Sequence, residues 1–67
     1  MITVNINQKQ HQIAKNASLK ELLIQLNITT TGIAVAINEI IINQDNWSTQ
    51  KLQQNDTILI ITATQGG

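Results

Sequence analysis

Few residues of this chain are of types that carry out chemistry. His11 is the only histidine, there is no cysteine, and neither Ser18 nor Ser48 lies in a nucleophile-elbow sequence. One imidazole cannot build a catalytic triad alone, so His11 is expected at the surface or at the end of a strand. The carboxylates are spread along the chain, and their spacing predicts neither a metal site nor a catalytic pair; they are Glu21, Glu39, Asp45 and Asp56.

The last two residues, Gly66 and Gly67, form the most informative pair. Glycines add nothing to a core and raise the entropy of the chain, so the pair could simply be a frayed end. Alternatively, a thin tail over residues 64–67 is flexible and threads a narrow channel in another protein. A side chain there would block the channel or the attack on the terminal carbonyl. A carboxylate is unreactive, so such a tail needs activation as an acyl-adenylate by a partner protein.

Length and composition exclude several classes of function. With 67 residues the chain is expected to form a single domain over residues 1–67, too small for a core plus a deep substrate cavity. Formal net charge is zero, arginine is absent and Trp47 is the only aromatic residue, which disfavours nucleic-acid binding and attraction to a membrane surface. The lack of cysteine and of a signal peptide predicts a cytoplasmic protein, or a plastid stromal one if the chain is plastid-encoded.

Hydrophobic periodicity predicts the elements. Alternation over residues 1–7 indicates a strand, and residues 10–14 can return as a second strand with Ile13 inward. Ser18 and Glu21 have the spacing of a capping box, and leucines at helical spacing follow until Asn27. Further strands are predicted over residues 33–37, 40–43 and 57–63.

Two further features complete the expected fold. A brief helical turn over residues 45–49, capped by Asp45, includes Trp47, which is expected to plug the end of the core with one polar partner. The order of elements is that of a β-grasp fold of the α+β class, a mixed sheet of four or five strands packed on one main helix.

Alternation also places apolar side chains on the face of the sheet opposite the helix. Leu59 and Ile61 fall on this outer face of the last strand, with Ala34 and Ala36 beside them. Either a loop of the same chain covers them, or they form an exposed apolar patch. We expect the patch, which is typical of an interaction site, because so short a chain has few loops to spare.

Three stretches together resemble the ThiS/MoaD family of ubiquitin-like sulfur carriers. They are SLKELL at 18–23, GIAVAIN at 32–38 running on to Trp47, and NDTI at 55–58 running through ITA at 61–63 to the glycine pair. The chain departs from the family at INQDN (42–46), where a Pro-Arg pair is common. It also has Asn55 where Gly is common, and Asn tolerates the left-handed backbone.

The resemblance implies a protein cosubstrate, not an enzyme, with no cofactor of its own. An E1-like adenylyltransferase (ThiF-like) would use ATP and Mg to form the glycyl adenylate at Gly67, and Gly66 would provide clearance. Sulfur from a cysteine desulfurase, passed as a persulfide, would leave a thiocarboxylate (1-thioglycine) on Gly67. Thiazole synthase (ThiG-like) would take this sulfur into the thiazole of thiamine.

The expected docking surface for both enzymes is Leu59, Ile61, Ala34 and Ala36. Two alternatives stay open: the small subunit of molybdopterin synthase, which tends to be longer and richer in Phe, and a non-catalytic β-grasp interaction module.

Overall fold

The fold is a five-stranded mixed sheet with one helix against one face. The computed structural model describes residues 1–62. Its elements are β1 (Ile2–Ile6), β2 (Lys9–Ile13), α1 (Leu19–Gln25), β3 (Ile33–Ile37), β4 (Ile40–Ile42), a 3-10 turn (Gln44–Asn46) and β5 (Thr57–Thr62). The strand order is β2-β1-β5-β3-β4, with β1 and β5 parallel and the other neighbours antiparallel. The predicted β-grasp architecture is confirmed.

Two tight turns set the register of the hairpins. Asn7 and Gln8 connect β1 to β2 with φ of 48° and 73°, and Asn38 and Glu39 connect β3 to β4 with φ of 50° and 74°. Positive φ at both positions is the type I′ geometry, which matches the right-handed twist of the strands and is favourable for Asn. Because the first turn has only two residues, β2 begins at Lys9, one residue earlier than predicted.

The helix has the ends that its sequence predicts. The Ser18 hydroxyl accepts a hydrogen bond from the Glu21 amide at 3.1 Å, and the Glu21 carboxylate accepts one from the Ser18 amide at 2.8 Å. The Ser18 amide first, and then the Ser18 side chain, lower the pKa of the Glu21 carboxyl from its ordinary value of 4.5 by hydrogen bonding to the carboxylate. At the other end Asn27 has a φ of 58°, and its amide and the next one return to carbonyls of the last turn, a Schellman motif.

The core lies between the helix and the inner face of the sheet. Its buried members are Val4, Ile6, Ile13, Leu19, Leu22, Leu23, Val35, Ile37, Trp47, Leu52 and Ile58. Trp47 closes one end at 3% exposure, and its Nε1 donates to the Ile42 carbonyl at 2.9 Å, as predicted.

The helical turn before Trp47 differs from the prediction. It spans Gln44–Asn46, and its N-cap is Asn43, which makes no side-chain capping bond. Asp45 therefore lies inside the turn, and its assignment as the cap is wrong. The physical reason is that Trp47 must reach back to Ile42, so the chain turns immediately after β4.

Within residues 1–62, no helix is long and apolar enough to cross a membrane.

Candidate functional site

The outer face of the sheet carries an exposed apolar surface on its central strand. Leu59 and Ile61 of β5 are 48% and 44% exposed. They lie opposite Ala36 and Ala34 of β3, respectively. No loop of the described part of the chain covers them, so the exposed patch is present. We refer to this apolar surface as the outer patch. Its members are Leu59, Ile61, Ala34, Ala36 and Ile41.

The prediction that Ala36 adds exposed surface to the patch is wrong. Its side chain faces outward, but it is only 5% exposed, because it lies between Leu59 of β5 and Ile41 of β4. Ala36 thus forms the floor of the outer patch, and its larger neighbours form the walls. Ala34 is half-buried.

Ile41 is the member of the outer patch that the sequence analysis missed. It is 62% exposed and lies opposite Ala36 across the β3–β4 hairpin. The signal was available, because a two-residue turn at Asn38 and Glu39 pairs Ile37 with Ile40 and hence Ala36 with Ile41.

The start of β5 is held by a buried carboxylate. Asp56 is 8% exposed; its Oδ1 accepts from Asn38 Nδ2 at 3.0 Å and its Oδ2 accepts from the Gln53 amide at 2.8 Å. The Thr57 amide donates to Asn38 Oδ1 at 3.0 Å. Asn55, just before, has a φ of 72°, as expected for an Asn where Gly is common. These bonds fix the point at which β5 enters the sheet.

The remaining predicted site residues do not converge on a second site. His11 pairs with Val4 in the middle of β2, an edge strand, and is half-buried rather than at the end of a strand. The early start of β2 at Lys9 explains this position. No group of three or more His, Cys, Asp or Glu side chains within residues 1–62 could hold a metal ion. Gly66, Gly67 and the predicted flexible stretch 64–67 lie outside the described residues.

Comparison with known proteins decides the family. The family model described as "ThiS family" matches residues 4–67, a range that includes both the outer patch and the glycine pair. The chain belongs to the ThiS family. The curated sulfur carrier protein ThiS of Escherichia coli (strain K12) is 34% identical over 61 residues, which cover 91% of this chain and 92% of that protein.

Two solved structures confirm the fold. A crystal structure of a thiamine biosynthesis protein, ThiS, from Geobacter metallireducens has a TM-score of 0.85 at 17% identity and covers 98% of this chain and 100% of its own. A solution structure of a thiamine biosynthesis protein from the same organism has a TM-score of 0.74 at 17% identity, covering 98% and 87%. Membership of the ThiS family assigns the chain to the small sulfur carriers of thiamine biosynthesis.

Proposed function

We propose that this chain carries sulfur as a thiocarboxylate on Gly67 and delivers it to thiazole synthase for the thiazole ring of thiamine. The observation that supports this most directly is the ThiS family match, which runs through residue 67 and so includes the glycine pair. The chain has no cysteine of its own to carry sulfur. The sulfur must therefore be held on another group, and a terminal carboxylate is one that can accept it.

The first step is activation of Gly67 by an adenylyltransferase with ATP and Mg. A carboxylate oxygen attacks the α-phosphorus of ATP, the bond to pyrophosphate breaks, and the product is the glycyl adenylate. AMP is a far better leaving group than oxide, so the acyl carbon becomes open to attack. Gly66 has no Cβ, which leaves clearance for the partner's groups around the reacting carbonyl.

The second step exchanges oxygen for sulfur. The terminal sulfur of a persulfide, charged by a cysteine desulfurase, attacks the acyl carbon and AMP leaves, giving an acyl disulfide. A thiol of the partner then attacks the other sulfur of that disulfide, which releases the thiocarboxylate and forms a new disulfide on the partner. Thiazole synthase then uses the thiocarboxylate, a stronger nucleophile than a carboxylate, as its sulfur source.

The outer patch is the proposed docking surface for both enzymes. It lies on β5, the strand that leads along the sequence to the glycine pair, so docking there brings the tail to the same partner. Leu59, Ile61 and Ile41 supply apolar area that is exposed in the free chain. An exposed apolar patch of this kind is typical of a protein–protein interaction site.

The test is the intact mass of the chain after incubation with the adenylyltransferase, Mg-ATP and a persulfide source. We expect the mass change of one oxygen replaced by sulfur, located on Gly67 by fragmentation. Localisation is essential because oxidation of Met1 produces nearly the same change. An unmodified Gly67 beside a demonstrably active partner set would overturn the proposal.

A variant lacking Gly66 and Gly67 separates the carrier from an interaction module. A carrier loses sulfur transfer completely while its docking surface stays intact. A module that acts only by binding through its sheet would keep its function without the glycine pair. A thiocarboxylate that forms but is used only by molybdopterin synthase would instead assign the chain to that pathway.

A further inference from the structure

Asn7 makes contacts beyond those needed for the turn in which it lies. It is the first residue of the two-residue turn between β1 and β2, with a φ of 48°. Its main-chain amide donates to the Ile58 carbonyl at 3.0 Å, which continues the parallel pairing of β1 with β5. After this bond the main chain turns away toward β2.

The side chain of Asn7 then takes the place of the next peptide group of β1. The Ile60 amide donates to Asn7 Oδ1 at 2.8 Å, and Asn7 Nδ2 donates to the Ile60 carbonyl at 3.3 Å. In a parallel ladder these two groups of β5 would be met by main-chain groups of the neighbouring strand. The carboxamide supplies both, so it extends the hold of β1 on β5 from Ile58 to Ile60.

Without this side chain the end of β5 would be held from one side. On the other side β3 pairs with β5 as far as Thr62. On the β1 side, both hydrogen bonds that the main chain of Ile60 makes within residues 1–62 are to the Asn7 carboxamide. A strand end held from one side opens more readily than one held from both.

Ile60 lies within the docking surface, two residues before the end of β5. It stands between Leu59 and Ile61 of the outer patch, and Gly67 is the seventh residue after it. That length of chain reaches at most about 25 Å when extended. Anything that fixes Ile60 therefore fixes the origin of the tail relative to the docked patch. A reacting group misplaced by about 1 Å can lose about 100-fold in rate.

We propose that Asn7 is a positioning residue for the reactions of Gly67. This inference rests on the proposed function of Gly67 as the site of adenylation. Asn7 acts through Ile60, by holding the end of β5 at a constant place while the outer patch is docked. Its loss is expected to lower kcat of adenylation rather than raise KM, because the side chains of the patch remain.

Asn38 provides a matched control within the same chain. It is the first residue of the equivalent turn between β3 and β4, with a φ of 50°. Its side chain also holds β5, but at the start of the strand, through Thr57 and Asp56. Asn38→Gly therefore removes a comparable pair of hydrogen bonds far from the tail.

The experiment compares Asn7→Gly and Asn38→Gly with the wild-type chain. Glycine is compatible with the positive φ of each turn and removes the whole side chain, and its added backbone freedom is the same in both variants. The readouts are kcat and KM for pyrophosphate release by the adenylyltransferase at varied carrier concentration, and the hydrogen-exchange rate of the Ile60 amide by NMR. Thermal unfolding of each variant confirms that it is folded.

For Asn7→Gly we expect faster exchange at Ile60, a loss of about tenfold in kcat and a KM within about twofold of the wild-type value. For Asn38→Gly we expect an unchanged kcat, even though it removes a partner of the buried Asp56 and lowers stability. Should Asn7→Gly not fold, Asn7→Asp keeps the acceptor for the Ile60 amide but sets a carboxylate oxygen against the Ile60 carbonyl, and a loss of kcat is again expected.

Two results overturn the inference alone: an unchanged kcat in the Asn7 variants, or an equal loss of kcat in Asn38→Gly. A wild-type chain that is not adenylated at all overturns the proposed function and the inference together, so the two failures are distinguishable.

Discussion

Replacing the two exposed apolar residues of β5 should weaken docking by an amount that follows from their exposure. Leu59 and Ile61 are 48% and 44% exposed, so roughly half of each side chain remains to be buried by a partner. Full burial of such a side chain is stabilising by about 1.5–3 kcal/mol. Burial of the remaining half of each side chain therefore contributes about 0.7–1.5 kcal/mol to the free energy of docking. Threonine keeps one methyl group, so part of this contribution remains. The double variant Leu59→Thr with Ile61→Thr is therefore expected to lose about 1–2.5 kcal/mol of docking free energy.

This loss corresponds to a rise of roughly 5- to 70-fold in KM for the carrier, at 1.4 kcal/mol for each factor of about ten. We expect kcat within about twofold of the wild-type value, because the contact is made equally before and during the reaction. The assay is pyrophosphate release by the adenylyltransferase at varied carrier concentration. The half of each side chain that is already buried in the free chain is lost as well, so the thermal midpoint should fall by several degrees, and thermal unfolding checks that the variant is folded at the assay temperature.

Ile24 gives the matched control. It is 61% exposed, more than either patch residue, but it lies on α1, on the opposite side of the molecule from the outer face. Ile24→Thr makes the same chemical change as Ile61→Thr and should leave KM unchanged. The reasoning is refuted if the double variant keeps its KM within about twofold, or if Ile24→Thr raises KM as much as Ile61→Thr does.

Two further predictions concern stability. Trp47→Phe removes the donor to the Ile42 carbonyl and should destabilise the fold by about 1–3 kcal/mol, measured by urea unfolding followed by circular dichroism. The pKa of Glu21 is lowered by hydrogen bonds from Ser18, so its contribution to stability is present above 4.5 and is lost as the pH falls through the lowered folded-state pKa. The advantage of the wild-type chain over Glu21→Gln in urea unfolding should therefore shrink as the pH falls below about 4.5.

Each of these has a contrary result. An unchanged urea midpoint for Trp47→Phe would mean that the indole hydrogen bond contributes nothing, since Phe keeps most of the apolar area. Gln can still accept from the Ser18 amide, so Glu21→Gln isolates the charge. A stability difference between Glu21→Gln and wild type that stays constant with pH would contradict the lowered pKa.

Local patterns were sufficient for the elements of this fold. The alternation of Ile2, Val4 and Ile6 defines a half-buried strand, and the capping box at Ser18 and Glu21 defines the first residue of the helix. These signals depend on neighbours within four residues. The prediction that Asp45 caps the helical turn was wrong because the turn starts one residue earlier, at Gln44. Its position is set by the hydrogen bond from Trp47 to the Ile42 carbonyl, and residue preferences for capping carry no information about that bond.

The details of the site depend instead on pairings between distant strands. Ala36 faces outward as alternation predicts, yet it is buried because Leu59 and Ile41 flank it. Its burial follows from the register of three strands and cannot be derived from β3 alone. The partner of the Asn7 side chain is 53 residues away, so the sequence predicts the turn but not its second role.

The position of β5 at the centre of the sheet connects these observations. An edge strand could carry an exposed apolar face, but its ends would open easily and the origin of the tail would vary. β5 is flanked by β1 and β3, and the side chain of Asn7 holds it at Ile60. In the proposed function the chemistry takes place at Gly67, and none of the chain's own side chains is proposed to act on the reacting group, so the strand that leads to Gly67 is the means of orienting it. Placing the docking residues and the origin of the tail on one firmly held strand lets a partner that binds the patch locate the tail as well.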